Sequence, residues 1–594
     1  MKATGQRMWF GQVAIGALCC CLLALVGRLT YIQTQMRPEL LKWSLERQTS
    51  KIPLPGRRGR LLDRRLRVLA GSHDQSLVFA DPALIKDRAE TATQVADVLG
   101  VPAREILEKL EKARSSRYVV LRRGVDDETV KALQKESLPG IGVTNEPARV
   151  YAMGTLAAHV IGYVGAEGTG LEGIELACEK FLRYKPGQRI VYWDSRRKNV
   201  VSQDPDGYVA PKDGLDVVLT IDAAIQEILE RELAKTVEKF KPQCALGIVM
   251  SPKTGEVLAL GISPTYDPAA PGKVPAEVRR NRLLTDPVEP GSIFKPFVLV
   301  GALQAGLTRP DEVLFCHNGL YVIGKRLLHD HHPYGNLTVE QVITKSSNIG
   351  MAILGMRMGN QLMHDTLRAL GFGRRTGIDL PGEDNGLLWP VERWQTPYTT
   401  TSVPMGHEMA MTPIQLATAF CALVNGGRLP KPYVVAGVVD HSGRVVEDRR
   451  PKDEFPQVVD PATAETVKQI LVKTVNEGTG KPSALEHWQV LGKTGTAQMP
   501  YSPEDRRRLG LKKGLYEPNA YLGSFLAAAP ASDPEVVVLV MVRKPDRRIG
   551  YYGGTVAAPA VKAILQQVLA YLNVPHDRVK PTTDSTSLAT DLRD

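Results

Sequence analysis

The sequence predicts a membrane-anchored α+β chain of two or three domains. Three observations predict it. At 594 residues the chain is too long for one compact core. Residues Met8 to Gly27, MWFGQVAIGALCCCLLALVG, form an uncharged apolar run, and its length at about 1.5 Å per residue matches the roughly 30 Å hydrocarbon core of a bilayer. Beyond it, β-rich apolar runs alternate with amphipathic helical patterns, in a composition (43% hydrophobic, 23% charged) that belongs to a folded protein.

Lys2 and Arg7 precede the apolar run, which is longer than a signal-peptide core and is followed by no A-x-A site. An uncleaved anchor with its N-terminus inside is expected. RPELLKWSLERQ extends the helix. KIPLPGRRGRLLDRRLRVLAGS places seven Lys/Arg between Lys51 and Arg67 and reads as a solvated turn and hairpin. TATQVADVLG and REILEKLEKA carry helical spacing. HVIGYVGAEGTGLEGIELACEKFL is glycine-rich, then helical. DGLDVVLTIDAAIQEILERELAKTVEKF is a strand that passes through Asp222, a plausible N-cap, into a long amphipathic helix; the main boundary falls just before it, near residue 215. CALGIVMSPKTGEVLALGIS is a hairpin with Lys253-Thr254-Gly255 at its tip. A hairpin over AYLGSFLAAAPASDPEVVVLVMVRKP and a closing helix over VAAPAVKAILQQVLAYLN follow, and the polar tail after Val574 is expected to be disordered.

The formal charge of +11 raises nucleic acid or an anionic surface as partner. No zinc-finger spacing and no basic helix with aromatic interleaving supports nucleic acid. Of seven cysteines, three adjoin in the apolar run and four are scattered, so no disulfide framework is legible.

The chemistry sits in three short motifs. Ser292-Ile293-Phe294-Lys295 follows a Pro290-Gly291 turn and opens an apolar helical run. Lys295 then shares a face with Ser292, and a neutral amine there serves as base to a weak nucleophile. The helix N-terminus adds backbone N–H groups for an oxyanion. Ser346-Ser347-Asn348 breaks between two helical patterns: Ser346 can relay a proton and Asn348 hold a substrate amide, although an ordinary cap has the same letters. Lys493-Thr494-Gly495-Thr496 lies on a short apolar strand: Lys493 and Thr494 suit a terminal carboxylate, Gly495 permits close approach, and the Thr496 N–H can complete an oxyanion hole with that of Ser292. A second S-x-x-K, Ser195 to Lys198, lies in a polar turn with no helix to aim it. The first Lys-Thr-Gly, at Lys253, precedes the nucleophile and is a turn. Each motif is weak alone; the ordered triple in matched contexts is specific.

With these motifs the chain resembles the class B penicillin-binding proteins, the membrane-anchored D,D-transpeptidases of bacterial cell-wall synthesis. RGRLLDRRLRVLA, ARVYAMGTLAAHVIGYVG, GLEGIE, LTIDAAIQ, PKTGEVLAL, NRLLTDPVEPGSIFK, MTPIQLATAF and GKTGTA carry the resemblance over about residues 1–570. Met405-Gly406-His407 departs from the common Gly-Tyr-Gly. The resemblance implies a transpeptidase domain of the serine β-lactamase-like kind, with a five-stranded antiparallel sheet between helices, on an elongated pedestal. It divides the chain into tail and anchor (1–35), a pedestal of the dimerisation type (36–215), the transpeptidase domain (216–574) and the tail (575–594). It implies acyl transfer from D-Ala-D-Ala stem peptides through Ser292, with Lys295, Ser346, Asn348 and Lys493 catalytic, Thr494, Gly495 and Thr496 binding substrate, β-lactams as covalent inhibitors, and no required cofactor. The pedestal and KPGQRIVYWD look division-type (FtsI-like), with elongation or sporulation types as alternatives; a non-turnover β-lactam sensor is the alternative of another class. An FtsW-like glycan polymerase of the SEDS type, divisome proteins and the lipid bilayer are the implied partners, at the inner membrane with the catalytic domain outside. One feature stands apart: Cys316, Asp330, His331 and His332, between the first two motifs, have the residue types of a zinc site, against the blander reading of a polar loop.

Overall fold

The computed structural model describes residues 2–112, 118–193, 200–512 and 515–578. The polar turn Ser195 to Lys198 lies outside them, as does the tail from residue 579; the first residues of the tail expected to be disordered are instead tied to the body, with Trp488 Nε1 donating to the Pro575 carbonyl at 3.1 Å and Asp577 accepting from Gln489 N at 2.6 Å. Contacts divide the chain into two units: residues 1–57 with 184–214, and residues 58–183 with 215–594.

The first unit begins with the helix Lys2–Tyr31, which runs through one π-turn, Ile32–Met36, into the helix Arg37–Gln48. The stretch from Arg7 to Ser44 is the one helix among the described residues long and apolar enough to cross a membrane. Its large side chains, Trp9, Phe10, Leu22 and Leu25 among them, have no protein to pack on. A three-stranded antiparallel sheet of Thr49–Leu54, Gly187–Trp193 and Val200–Val209 completes this unit.

The second unit is built around two sheets. The first is five-stranded and antiparallel throughout, in the order Val257–Ser263, Cys244–Met250, Val536–Arg543, Tyr516–Ala529, Leu491–Pro500. Its central strands are buried on both faces, which their unbroken apolar runs require. On one face pack the helices Ala223–Phe240 and Ala558–Tyr571, on the other the helices Lys295–Gln304 and Pro413–Val424. Asp222 caps the first of these helices, accepting from Ala224 N at 3.0 Å. The second sheet has seven strands, from Val445–Asp448 and Val435–Val439 through Asp216–Leu219 to Leu61–Leu62, Val68–Ala80, Val119–Val125 and Ile141–Tyr151. The helical patterns at 91–113 form Arg88–Leu99, capped by Asp87 and closed by Gly100 at φ 62°, and Ala103–Lys112.

The basic run after the anchor is the expected hairpin, Leu61–Leu62 against Val68–Ala80 with an exposed tip at residues 64–66, but its other arginines are not simply solvated. Arg58 is buried and bonds Glu175 at 2.7 Å and Glu179 at 2.6 Å; Arg60 holds Asp216 at 2.6 Å; Arg67 holds Asp63 at 2.6 Å and Asp222 at 2.7 Å. Glu175, Asp216, Asp63 and Asp222 are wholly buried. Buried carboxylates demand partners, and most of these lie more than 100 residues away in sequence, so charge density along the chain alone gave no sign of them.

The first Lys-Thr-Gly is a turn, as its place predicts. Gly255 takes φ 76° at the end of a Ser251–Gly255 turn, and Lys253 reaches across to Asp533 at 2.6 Å and Glu535 at 2.5 Å. All three side chains are exposed, so Lys253→Ala is expected to cost at most about 1 kcal/mol in a denaturation measurement and to leave penicillin labelling at the wild-type rate.

Candidate active site

Ser292 lies in a 3₁₀ turn, Gly291–Phe294, that runs directly into the α-helix Lys295–Gln304. In a 3₁₀ turn residues i and i+3 eclipse, and the Lys295 N–H returns to the Ser292 carbonyl. The turn is half-buried at Ser292, while Lys295 is wholly buried. Lys295 Nζ donates to the Ser346 carbonyl at 2.6 Å and to Asn348 Oδ1 at 2.9 Å, and lies 3.2 Å from Ser346 Oγ. Burial pushes its ammonium down to about 7, against the pull of the Asp330 carboxylate. A neutral amine has two N–H groups and one lone pair; the two carbonyl-type acceptors take both N–H groups, which leaves the lone pair for a proton.

Ser346 sits in the turn between the helices Val339–Thr344 and Asn348–Ala369, in a left-handed conformation at φ 60°. For a residue with a Cβ this costs on the order of 1–3 kcal/mol, retained here where it aims the hydroxyl between two lysines. Ser347 takes the ordinary capping role, accepting from Gly350 N at 2.9 Å. Asp330 holds the turn: it accepts from Ser347 Oγ at 2.6 Å, from Ile349 N at 3.1 Å and from Asn348 N. A carboxylate at a helix N-terminus is favoured by the dipole.

The strand Leu491–Pro500 is one edge of the five-stranded sheet. Lys493 is wholly buried; its Nζ donates to Ser346 Oγ and to the Thr494 carbonyl, each at 3.0 Å. Burial, then the nearby Lys295, holds its ammonium well below the ordinary lysine value. Thr494 Oγ1 meets Thr479 Oγ1 at 2.7 Å. Gly495 is required by space: a Cβ there would fall 2.6 Å from Ser524 Oγ and 2.8 Å from Ile293 Cγ2, so strand and nucleophile turn touch through it. Thr496 Oγ1 accepts from Gly553 N at 3.0 Å.

Lys295, Ser346, Asn348 and Lys493 thus form one hydrogen-bonded cluster, with Ser292 in the turn that packs against Gly495 and Thr496. Sequence reasoning overlooked Asp330 as a support of the second motif, and Thr479 and Gly553 as supports of the third. Asp330 accepts from the Ser347 hydroxyl and two backbone N–H groups, and Gly553 donates its N–H to the Thr496 hydroxyl, each from outside the motif it supports, and no local pattern marks them.

The same geometry gives the zinc reading of the Cys/His loop no support. Among the described residues no group of three or more His, Cys, Asp or Glu could hold a metal ion. Asp330 is occupied by the helix cap. Cys316 is buried beside Ser347 Oγ at 3.6 Å, and burial pushes its thiol up. His331 turns away, with Nε2 3.0 Å from the Tyr552 hydroxyl and Nδ1 3.3 Å from His332.

The penicillin binding protein transpeptidase domain matches residues 245–566, and the penicillin-binding protein dimerisation domain matches residues 53–219. The chain is 33% identical over 581 residues to a probable peptidoglycan D,D-transpeptidase, PenA, of Neisseria gonorrhoeae, covering 97% of this chain and 94% of that protein. It is 33% identical over 551 residues to stage V sporulation protein D of Bacillus subtilis, covering 92% and 83%. Among solved structures, penicillin binding protein 3 from Mycobacterium tuberculosis, complexed with aztreonam, superposes with a TM-score of 0.67 at 27% identity, covering 89% of this chain and 98% of that one. Both domains, the anchor helix and near full-length likeness agree: the chain belongs to the class B penicillin-binding proteins, serine-type D,D-transpeptidases.

Proposed function

We propose that Ser292 is the acylated nucleophile of a peptidoglycan cross-linking reaction. One observation carries the assignment: Lys295 Nζ and Lys493 Nζ both converge on Ser346 Oγ, at 3.2 and 3.0 Å, beside the turn that presents Ser292. Ser292 Oγ attacks the carbonyl between the two terminal D-Ala residues of a stem peptide as its proton passes to Lys295 Nζ. The oxyanion faces the N–H groups of Ser292 and Thr496. Collapse breaks the C–N bond, and Ser346 relays a proton to the departing D-Ala amine. The ester on Ser292 is then attacked by an amine of a neighbouring stem, which forms the cross-link and returns the hydroxyl. Lys493 and Thr494 grip the terminal carboxylate; the incoming negative charge favours the protonated form of Lys493 that burial alone opposes. A β-lactam, whose ring amide takes the place of the D-Ala-D-Ala bond, stops at the ester.

Incubation with labelled penicillin followed by peptide mass spectrometry is expected to place the label on Ser292; a label on another residue sinks the assignment. Cross-linking of lipid-linked glycan polymer, against release of D-Ala to water, separates a transpeptidase from a hydrolase. The anchor and pedestal support the transpeptidase. The catalytic unit belongs on the outer face of the inner membrane, with Lys2 and Arg7 inside. A septal role, with an FtsW-like SEDS polymerase and divisome proteins, fits the division-type features of the sequence; the stage V sporulation protein D of Bacillus subtilis is as similar, at 33% identity, as PenA, so septal localisation of a tagged chain is the deciding measurement.

A further inference from the structure

Three residues before Ser292, the carboxylate of Glu289 joins three separate segments. Its Oε2 accepts from the Tyr516 hydroxyl at 2.8 Å and lies 2.9 Å from His407 Nδ1. Its Oε1 accepts from Glu408 N at 3.3 Å. Tyr516 begins the strand that pairs with the end of the Lys-Thr-Gly strand, opposite Pro500. His407 follows Gly406, which lies backbone on backbone against the nucleophile turn: Gly291 N donates to Gly406 O at 3.1 Å, and a Cβ on Gly406 would fall 2.2 Å from Gly291 O. Glu408 is held at φ 61° with its own carboxylate bonded to Ser402 Oγ at 2.6 Å. The side chains of Glu289 and His407 are only 15% and 31% exposed, so their contact is partly shielded, while Tyr516 closes over Glu289 from the surface.

We propose that Glu289, with His407 and Tyr516, is a positioning clamp for acylation. It touches neither substrate nor the reacting atoms. It locks the Pro290-Gly291 turn against both the His407-Glu408 segment, which follows the helical turns Tyr398–Ser402 and Val403–Met405, and the far end of the substrate-gripping strand, and so sets where Ser292 stands relative to Lys295 and to the N–H of Thr496. A shift of about 1 Å in a reacting group costs up to about a hundredfold in rate. The clamp uses His407, at the place where the chain departs from the common Gly-Tyr-Gly.

The inference rests on Ser292 being the nucleophile, and the test separates the two. Full-length protein in detergent is acylated with a fluorescent penicillin, and pre-covalent binding is resolved from the acylation rate constant. In Glu289→Ala the rate constant is expected to fall at least about tenfold with binding changed less than about threefold. Glu289→Gln, which still accepts from Tyr516, is expected to recover much of the loss. Adding Tyr516→Phe to Glu289→Ala is expected to slow the reaction by less than about twofold more, because the partners act as one unit. Should Glu289→Ala not fold, Tyr516→Phe alone, which removes one hydroxyl, is expected to slow acylation about threefold. A wild-type rate constant in the variant that folds overturns the clamp, as does a loss shared between binding and rate with a lowered melting midpoint and no rescue by Gln. A wild-type protein that takes no label on Ser292 overturns the nucleophile and the clamp together.

Discussion

Replacing Lys295 with methionine is expected to slow acylation by penicillin about 10²–10⁴-fold, the range a positioned general base contributes. Methionine fills a similar volume and suits the dry site, so the fold should stand; stopped-flow acylation of a correctly melting variant is the measurement, and a loss under about tenfold would exclude Lys295 as the base. The pH dependence has a definite sign. Only the neutral amine accepts the Ser292 proton, and burial pushes the Lys295 ammonium down to about 7 from 10.5. Acylation by the native chain should therefore climb as pH rises through about 7, and this limb should vanish in Lys295→Met. Stability moves the same way. Between about 7 and 10.5 the unfolded chain binds more protons at this lysine than the folded one, so the lysine's penalty is full below about 7 and is relieved as pH rises. The difference in stability between Lys295→Met and native protein should be largest in favour of the variant at low pH.

The second large effect concerns stability alone. Glu175 is wholly buried between two nearly buried guanidiniums, Arg58 at 2.7 Å and Arg149 at 2.6 Å. Glu175→Ala leaves both cations in a low-dielectric site. Arg58 keeps Glu179 and the Gly168 and Glu175 carbonyls, whereas Arg149 is left with the Gly59 carbonyl at 2.6 Å. Removing one member of a buried ion cluster costs about 3–5 kcal/mol, far more than the exposed Lys253 pair. The melting midpoint of the full chain should drop by several degrees; a midpoint within about 1 °C of native would show that water or rearrangement shields the two arginines.

The contrast between these sites explains what could be read in advance. The Ser292, Ser346 and Lys493 motifs were legible because each is local: three or four residues fix a turn, a hydroxyl or an amine, and order along the chain does the rest. The Asp222 cap, the Lys253 hairpin and the closing helix were legible for the same reason. The hairpin of the basic run was legible, but the ion pairs of its arginines were not, because Glu175, Asp216 and Asp222 lie where local pattern cannot connect them to it. The Cys/His loop offered the residue types of ligands beside the reading of a polar loop, and residue type alone could not decide, because Asp330 is consumed by a helix end at Ser347–Ile349 that sequence spacing does not reveal.

The strand order of the main sheet also bears on how the chain comes to be folded. The strand Cys244–Met250 pairs on one side with its hairpin partner, and on the other with Val536–Arg543. Roughly 290 residues separate the two. At about 5–20 residues per second, a ribosome supplies the missing neighbour roughly 15–60 s later. Through that interval a fully apolar strand keeps an open edge, the kind of surface that aggregates. The buried lysines cannot be sequestered until Leu491–Pro500 has joined the same sheet. Competence to react with penicillin should therefore arise late and all at once, after synthesis is nearly complete, and truncations that stop before Val536 should yield insoluble and unreactive chains.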